Sequence, residues 1–198
     1  MKFSGLVAAA LTVGSALAAP TQKKADALSS VLSIASGLKA DVSAELANIS
    51  VTADVTADVV PTVEAVLGDV VSLVEEAVSE IVPLVLGLVL PTAEDEIQNV
   101  LTLVGDVNAT VSEIKTTLES LVGSVADDVL STLQPEISSL LSTVNNLVTP
   151  VTSLAYGVVS AVPGGSDLVT DLFGLTQDLQ TTASGLVSLV QGLLSSLL

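Results

Sequence analysis

The sequence predicts an all-α protein, a bundle of about five to seven amphipathic helices that follows a cleaved signal peptide. Three observations lead to this prediction. Apolar residues recur at steps of three and four, which places one apolar stripe along each helix. Ser, Thr, Asp and Glu fill the other faces. Prolines and glycines separate the stripes, as expected at the ends of helices.

The N-terminus, residues 1–18, has the three parts of a secretory signal peptide in order. Lys2 supplies the positive charge, Phe3–Ala19 is apolar, and the residues from Ala16 to Ala18 form an A-x-A cleavage site. We therefore expect a secreted protein that is extracellular or held in a cell wall.

Cleavage leaves a short pro-segment at 19–24 and a single helical domain at 25–198. The pro-segment ends in the dibasic pair Lys23–Lys24. This pair is either the site of a second, trimming protease or two exposed lysines, and the sequence leaves both readings open.

Four apolar stripes define most of the predicted helices. They run over Leu28–Ile49, Val100–Val125, Leu130–Leu154 and Leu168–Leu197. Within each stripe the apolar side chains follow one another at intervals of three or four residues. This spacing keeps them on one face of an α-helix.

Another segment, Val51–Val59, fits two structures. Its apolar residues alternate with polar ones, and its Val and Thr content favours a strand. The apolar residues of this segment also repeat every four residues, as on one face of an α-helix. We expect a helix, because the same stripe continues through Val63, Val66, Val70 and Val74.

Several residues have the chemistry of helix ends. Thr92 precedes three acids at 94–96, so it is expected to cap a helix whose first turn is acidic. Ser166 is the expected cap of the last helix, which starts near Asp167. The prolines expected to mark ends or kinks are Pro61, Pro83, Pro135 and Pro150.

The composition excludes several functions. The chain has 198 residues with 22 acids, 5 lysines, no His and no Cys, and a formal net charge of -17. Histidine and thiol catalysis, disulfides and an ordinary zinc site are therefore absent. No metal-ligand or cofactor-binding motif occurs, and the acidic charge argues against nucleic acid. We expect a protein that is not an enzyme and that needs no cofactor.

A transmembrane span is not expected. Beyond the signal peptide the most apolar run, Ile81–Leu90, has 10 residues and contains Pro83 and Gly87. A spanning helix needs about 20 apolar residues. The C-terminal residues are interrupted by Ser195 and Ser196, so they fit an amphipathic helix better than the tail of a lipid-anchor signal.

Two sequons accompany the signal peptide. Asn48 is followed by Ile49 and Ser50, and Asn108 is followed by an alanine and a threonine. Each fits the N-x-[ST] acceptor pattern. We therefore predict N-glycans at Asn48 and Asn108.

The signal peptide ending, the lack of cysteine and the Ser/Thr/Val/Leu helices with Asp-Val and Ala-Asp steps resemble a fungal family. This is the family of hydrophobic-surface-binding protein A and cell-wall galactomannoproteins. The similar stretches are Ala25–Ile49, Thr52–Val59 and Val100–Leu154. The resemblance implies an extracellular helical bundle that binds hydrophobic surfaces or fatty acyl chains and is often glycosylated. It assigns no site residue.

Two functions remain open from the sequence. In the first, the protein binds a hydrophobic surface or a lipid, such as a fatty acyl chain. In the second, it is a structural cell-wall or extracellular-layer glycoprotein that self-associates through its aliphatic helix faces. The C-terminal third has few charges, so we expect it to line a lipid site. The predicted lining residues are Leu140, Val144, Leu147, Leu168, Leu172, Leu175, Leu186, Leu189 and Leu193.

Overall fold

The computed structural model of the protein describes residues 20–50, 59–162 and 166–196. These residues form five α-helices and contain no strand, which confirms the predicted all-α bundle. The helices are α1 (Pro20–Ser50), α2 (Val60–Gly87), α3 (Glu94–Ser124), α4 (Asp127–Ala161) and α5 (Asp167–Ser196). The predicted signal peptide and residues 51–58 of the ambiguous segment lie outside the described residues.

The helices α1 and α3 lie side by side and run in the same direction. Ser36 Oγ of α1 donates a hydrogen bond to Asp106 Oδ2 of α3 at 2.7 Å. Further along both helices, Ser43 Oγ donates to Glu113 Oε1 at 2.9 Å. The residue numbers of the two partners rise together, so the two helices are parallel.

The other helices complete two layers. Gly105 and Lys115 of α3 face Leu175 and Gly185 of α5, so these two helices are also parallel. The layer α1–α3–α5 therefore has α3 at its centre. The second layer is the pair α2 and α4, in which α2 also contacts α1 and α4 also contacts α3 and α5.

The apolar stripes form the core between these layers. Every side chain of the predicted stripes over Leu28–Ile49, Val100–Val125 and Leu130–Leu154 is buried. The stripe that begins at Val63 is buried in α2 as well. Burial of these aliphatic side chains is the main stabilising contribution, because the described chain offers few ion pairs.

The buried stripe of α5 is turned relative to the predicted one. Leu168, Leu175 and Leu189 belong to the predicted stripe and to the predicted lipid lining, but they are only half-buried and pack against the edge of the core. The buried stripe is Val169, Leu172, Thr176, Leu179, Ala183, Leu186, Val190 and Leu193. Thr176 can be buried because its hydroxyl donates to the Leu172 carbonyl at 2.6 Å.

Of the two predicted helix caps, one differs from the prediction and the other is confirmed. The helix α3 begins at Glu94 after Ala93, and the Glu96 carboxylate accepts the N–H groups of Thr92 and Ala93 at 3.2 and 3.3 Å. The cap is thus the glutamate rather than the Thr92 side chain. At α5 the prediction is confirmed, because Ser166 Oγ accepts the Val169 N–H at 3.4 Å.

Three of the four prolines that were expected to mark helix ends or kinks lie inside helices. Pro83 lies inside α2, and Pro135 and Pro150 lie inside α4. Pro61 occupies the first turn of α2, where its missing N–H has no helical acceptor to lose. The buried stripes on both sides of each internal proline hold these helices together through packing.

Salt bridges contribute little to this fold. Among the described side chains, Lys39 pairs with Asp106 at 2.9 Å and Lys115 pairs with Glu119 at 2.8 Å. Both pairs are at least partly exposed to solvent, and such pairs contribute about 0–1 kcal/mol each. The remaining acids lie mainly on wetted faces and repel one another.

Gly174→Ala is expected to raise the free energy of unfolding by about 0.5–1 kcal/mol. Gly174 is exposed in the middle of α5, and an added Cβ would meet nothing within 4 Å. Urea denaturation measures this gain. In the comparison variant Gly157→Ala, the new Cβ would lie 2.7 Å from Leu90 Cδ2, so we expect a smaller gain. A Gly174→Ala protein no more stable than the parent would contradict the prediction.

Candidate functional site

The C-terminal end of α2 has more apolar surface than its neighbours cover. Residues 81–90 comprise the last turns of α2 and the start of the linker after it, and all of them are aliphatic apart from one proline and one glycine. A helix end of this kind buries only the stripe that faces the core, here Ile81 and Val85. The side chains of Leu86 and Val89 remain 78% and 72% exposed.

Leu86 lines an open groove between α2 and α4, which we call the α2–α4 groove. Val89 lies in the chain between two further lining residues, Leu88 and Leu90. The volume of the groove is about 510 Å³. Ligand sites for small molecules typically measure about 300–1,000 Å³. One wall comes from α2 and the linker after it, and the other comes from α4. The lining residues are Val82, Val85, Leu86, Leu88, Leu90, Asn146, Thr149, Pro150, Ser153 and Leu154.

The α4 wall is polar but uncharged. Residues 137–161 of this helix contain no charged side chain. Thr149 Oγ1 donates to the Asn145 carbonyl, and Ser153 Oγ donates to the Thr149 carbonyl, each at 2.8 Å. Both hydroxyl protons are therefore held by the helix backbone, and the oxygen lone pairs are the groups left for a ligand.

The linker between α2 and α3 is positioned by a close approach at Gly157. A Cβ on that residue would lie 2.7 Å from Leu90 Cδ2, so Leu90 packs directly on the backbone of α4. Leu90 retains 40% exposure and forms one end of the groove. The absence of a side chain at position 157 therefore gives the Leu90 side chain room for this contact.

Two other depressions among the described residues are smaller and more polar. One between α4 and α5 measures about 370 Å³ and is lined by amide and hydroxyl side chains such as Asn145 and Gln180. One between α1 and α2 measures about 200 Å³ and includes the acids Asp41, Glu76 and Glu80. The α2–α4 groove is therefore the better candidate for an apolar ligand.

The nine lining residues predicted from the sequence are brought together in the core and around its edge, not in the groove. Six of them are buried, namely Leu140, Val144, Leu147, Leu172, Leu186 and Leu193. The other three are half-buried against the core, namely Leu168, Leu175 and Leu189. None of the nine lines the α2–α4 groove. Their predicted contact with a lipid stays a prediction.

The sequence contains a signal for the groove in the run Ile81–Leu90. This run is too short for membrane insertion. A short helix end that is apolar on all sides also predicts an exposed apolar surface in a bundle. The few charges of the C-terminal third favoured α5 instead, although most of its apolar stripe is covered by α3 and α4.

The two sequons lie in different surroundings. Asn48 is exposed near the end of α1, and its Nδ2 donates to Glu45 Oε2 at 3.4 Å. Asn108 is half-buried in α3, and its Oδ1 is buried without a hydrogen-bond partner. Thr110, the hydroxyl residue of the second sequon, is buried. Glycosylation at both positions stays a prediction, and Asn48 has the more open surroundings.

In the part of the chain that the structure describes, no group of His, Cys, Asp and Glu side chains has an arrangement that would hold a metal ion. None of the described helices combines the length and apolar character that crossing a membrane requires.

No protein-family model matches this chain, and none of the curated proteins matches it. Among solved structures it is similar to the crystal structure of AfMp4p in complex with palmitic acid. The two chains are 14% identical, with a TM-score of 0.48, and the alignment covers 82% of this chain and 99% of that one. At this score nothing about the ligand of the present chain follows from the similarity.

Proposed function

We propose that this protein is a secreted, non-enzymatic lipid-binding protein that holds a single acyl chain in the α2–α4 groove. The observation that carries the proposal is the exposure of Leu86, which is 78% exposed in the wall of an apolar depression of about 510 Å³. Exposed aliphatic side chains beside a concave apolar surface are typical of ligand sites.

An acyl chain fits the physical character of this groove. Burying an acyl chain against apolar surface contributes about 0.8 kcal/mol of favourable binding free energy for each buried CH₂ group. The α2 wall offers aliphatic contacts along the length of a chain, and Asn146, Thr149 and Ser153 offer polar contacts at its border. With no aromatic side chain in the lining, stacking of a flat ring system is less favoured.

The sequence supports the remaining parts of the proposal. The signal peptide features at 1–18 support secretion to an extracellular or cell-wall location. The lack of His and Cys supports a protein that binds its ligand without transforming it. Adsorption to hydrophobic surfaces would use the same exposed side chains as lipid binding.

A second candidate function is favoured by the same exposed residues. Leu86 and Val89 would also be covered if two copies of the chain packed together. In that case the protein would be a self-associating structural component of an extracellular layer. The two functions differ in what covers these side chains, which is a lipid in the first and a second copy of the chain in the second.

A chain-length series tests the proposal. Straight-chain lipids of 8 to 18 carbons displace a neutral fluorescent probe from the purified protein, and the dissociation constant is measured for each. We expect the affinity to rise by up to about four-fold for each added CH₂ group, and then to reach a plateau when the groove is filled.

Sedimentation of the same samples distinguishes the second candidate. A monomer that binds lipid with the expected length dependence supports the carrier. An assembly that forms without lipid and displaces no probe supports the structural protein. Affinities that do not change with chain length would contradict binding of an acyl chain. Mass spectrometry of lipids extracted from the native protein identifies the occupant.

A further inference from the structure

We infer that the α2–α4 groove selects acyl lipids whose headgroup is an uncharged hydroxyl, such as long-chain alcohols and monoacylglycerols, over fatty acid anions. This inference rests on the proposed function and specifies its ligand class. It is carried by three observations at the groove, which concern basic residues, hydrogen-bonding groups and local charge.

Neither helix of the groove contains a basic residue. The lysines with described side chains are Lys39 in α1 and Lys115 in α3. Each is paired with an acid, Asp106 and Glu119, at 2.9 and 2.8 Å. A carboxylate headgroup in the groove would therefore have no cation from α2 or α4 to balance its charge.

The hydrogen-bonding groups of the α4 wall suit a donor rather than an acceptor. The hydroxyls of Thr149 and Ser153 both donate to backbone carbonyls, so their oxygens offer lone pairs. A carboxylate only accepts hydrogen bonds, whereas an alcohol also donates one. Asn146 adds a neutral amide that donates and accepts equally well. The wall is therefore better matched to an alcohol O–H.

The surrounding charges oppose an anion. The last turn of α2 forms part of the groove, and the C-terminal end of a helix carries the negative end of its dipole. Directly after the linker, α3 begins with Glu94, Asp95 and Glu96. The chain as a whole has a formal net charge of -17. All of these raise the free energy of a bound carboxylate relative to a neutral headgroup.

Four 16-carbon ligands test the inference at neutral pH and low salt, by displacement of a neutral fluorescent probe. Hexadecanol and monopalmitin are expected to bind at least about ten-fold more tightly than palmitate. Methyl palmitate is uncharged but has no hydrogen-bond donor. Its affinity is expected to lie between that of the two hydroxyl lipids and that of palmitate. Tighter binding of monopalmitin than of hexadecanol would identify a glycerol headgroup, and the reverse order a simple alcohol. Both results support the inference.

Substitutions in the groove separate charge from packing. Asn146→Lys supplies a cation and is expected to raise palmitate affinity about five-fold without raising that of hexadecanol. Asn146→Gln is the neutral control and should change neither. The double variant Thr149→Val with Ser153→Ala removes the acceptors. It should lower hexadecanol affinity to that of methyl palmitate.

Different failures have different meanings. Palmitate binding as tightly as hexadecanol overturns the inference and leaves the proposed function intact. If that palmitate binding is lost in the Lys23→Gln, Lys24→Gln double variant, the pair supplies the cation and the inference is likewise wrong. If none of the four lipids displaces the probe, both the inference and the proposed function are wrong.

Discussion

Leu172→Asp is expected to unfold the whole bundle, with a loss of more than about 5 kcal/mol in the free energy of unfolding. The Leu172 side chain has no exposure to solvent and belongs to the core. A carboxylate there loses its hydration without gaining a partner. The helix α5 packs against both α3 and α4, so its loss uncovers the core of both layers. Far-UV circular dichroism against temperature measures the effect.

Gln177→Asp is the matched control for this variant. It adds the same charge to an exposed position of the same helix, and its effect should stay within about 0.5 kcal/mol. Domain stabilities are typically about 5–15 kcal/mol, so a loss of this size removes at least about a third of the stability of the core variant and up to all of it. A Leu172→Asp protein that melts cooperatively near the parent temperature would show that this part of α5 lies at the surface.

Most of the fold follows from the spacing of aliphatic residues. The stripes over Leu28–Ile49, Val100–Val125 and Leu130–Leu154 are buried without exception at the predicted positions. A helix with such a stripe has only one apolar face, so only one rotation about its axis buries the stripe in the core. The directions of the helices were not predictable in this way. They depend on contacts between helices, such as that of Ser36 with Asp106, which the spacing does not encode.

The helix α5 shows where hydrophobicity alone is insufficient. The predicted stripe and the buried stripe of α5 have four residues in common, namely Leu172, Leu179, Leu186 and Leu193. The two stripes differ in the residues between these four. Ranking by hydrophobicity selects leucines such as Leu168, but the structure buries smaller side chains instead. Small residues let α5 approach its neighbours closely. A threonine is also accepted in the core, because its hydroxyl bonds within the helix.

The candidate site was less predictable than the fold. The composition of Ile81–Leu90 indicates surplus apolar surface, but a groove needs two walls. The second wall comes from Asn146 to Leu154, more than 50 residues later in the sequence, where polar and apolar residues look like an ordinary helix. Only the packing of α2 beside α4 brings the two segments together.

Leu86→Asp is expected to weaken acyl-chain binding by at least about 30-fold, which corresponds to roughly 2 kcal/mol of lost apolar contact and carboxylate desolvation. Leu86 lines the groove and is 78% exposed, so the substitution should not reduce the stability of the fold. Probe displacement by hexadecanol measures the affinity, and a melting curve checks that the variant is folded. Leu86→Gln should give an intermediate loss, because it removes the apolar contact without adding charge.

Ser79→Asp provides the control for added charge. Ser79 is exposed on α2, two helical turns before Leu86 and about 10 Å away along the axis. Because the groove lining begins at Val82, this variant should bind lipid as the parent does. Equal losses in both variants would indicate a general effect of negative charge. Full binding by Leu86→Asp would place the acyl chain outside the α2–α4 groove. The lipid-lining residues that the sequence predicted on α4 and α5 would then be the next to test.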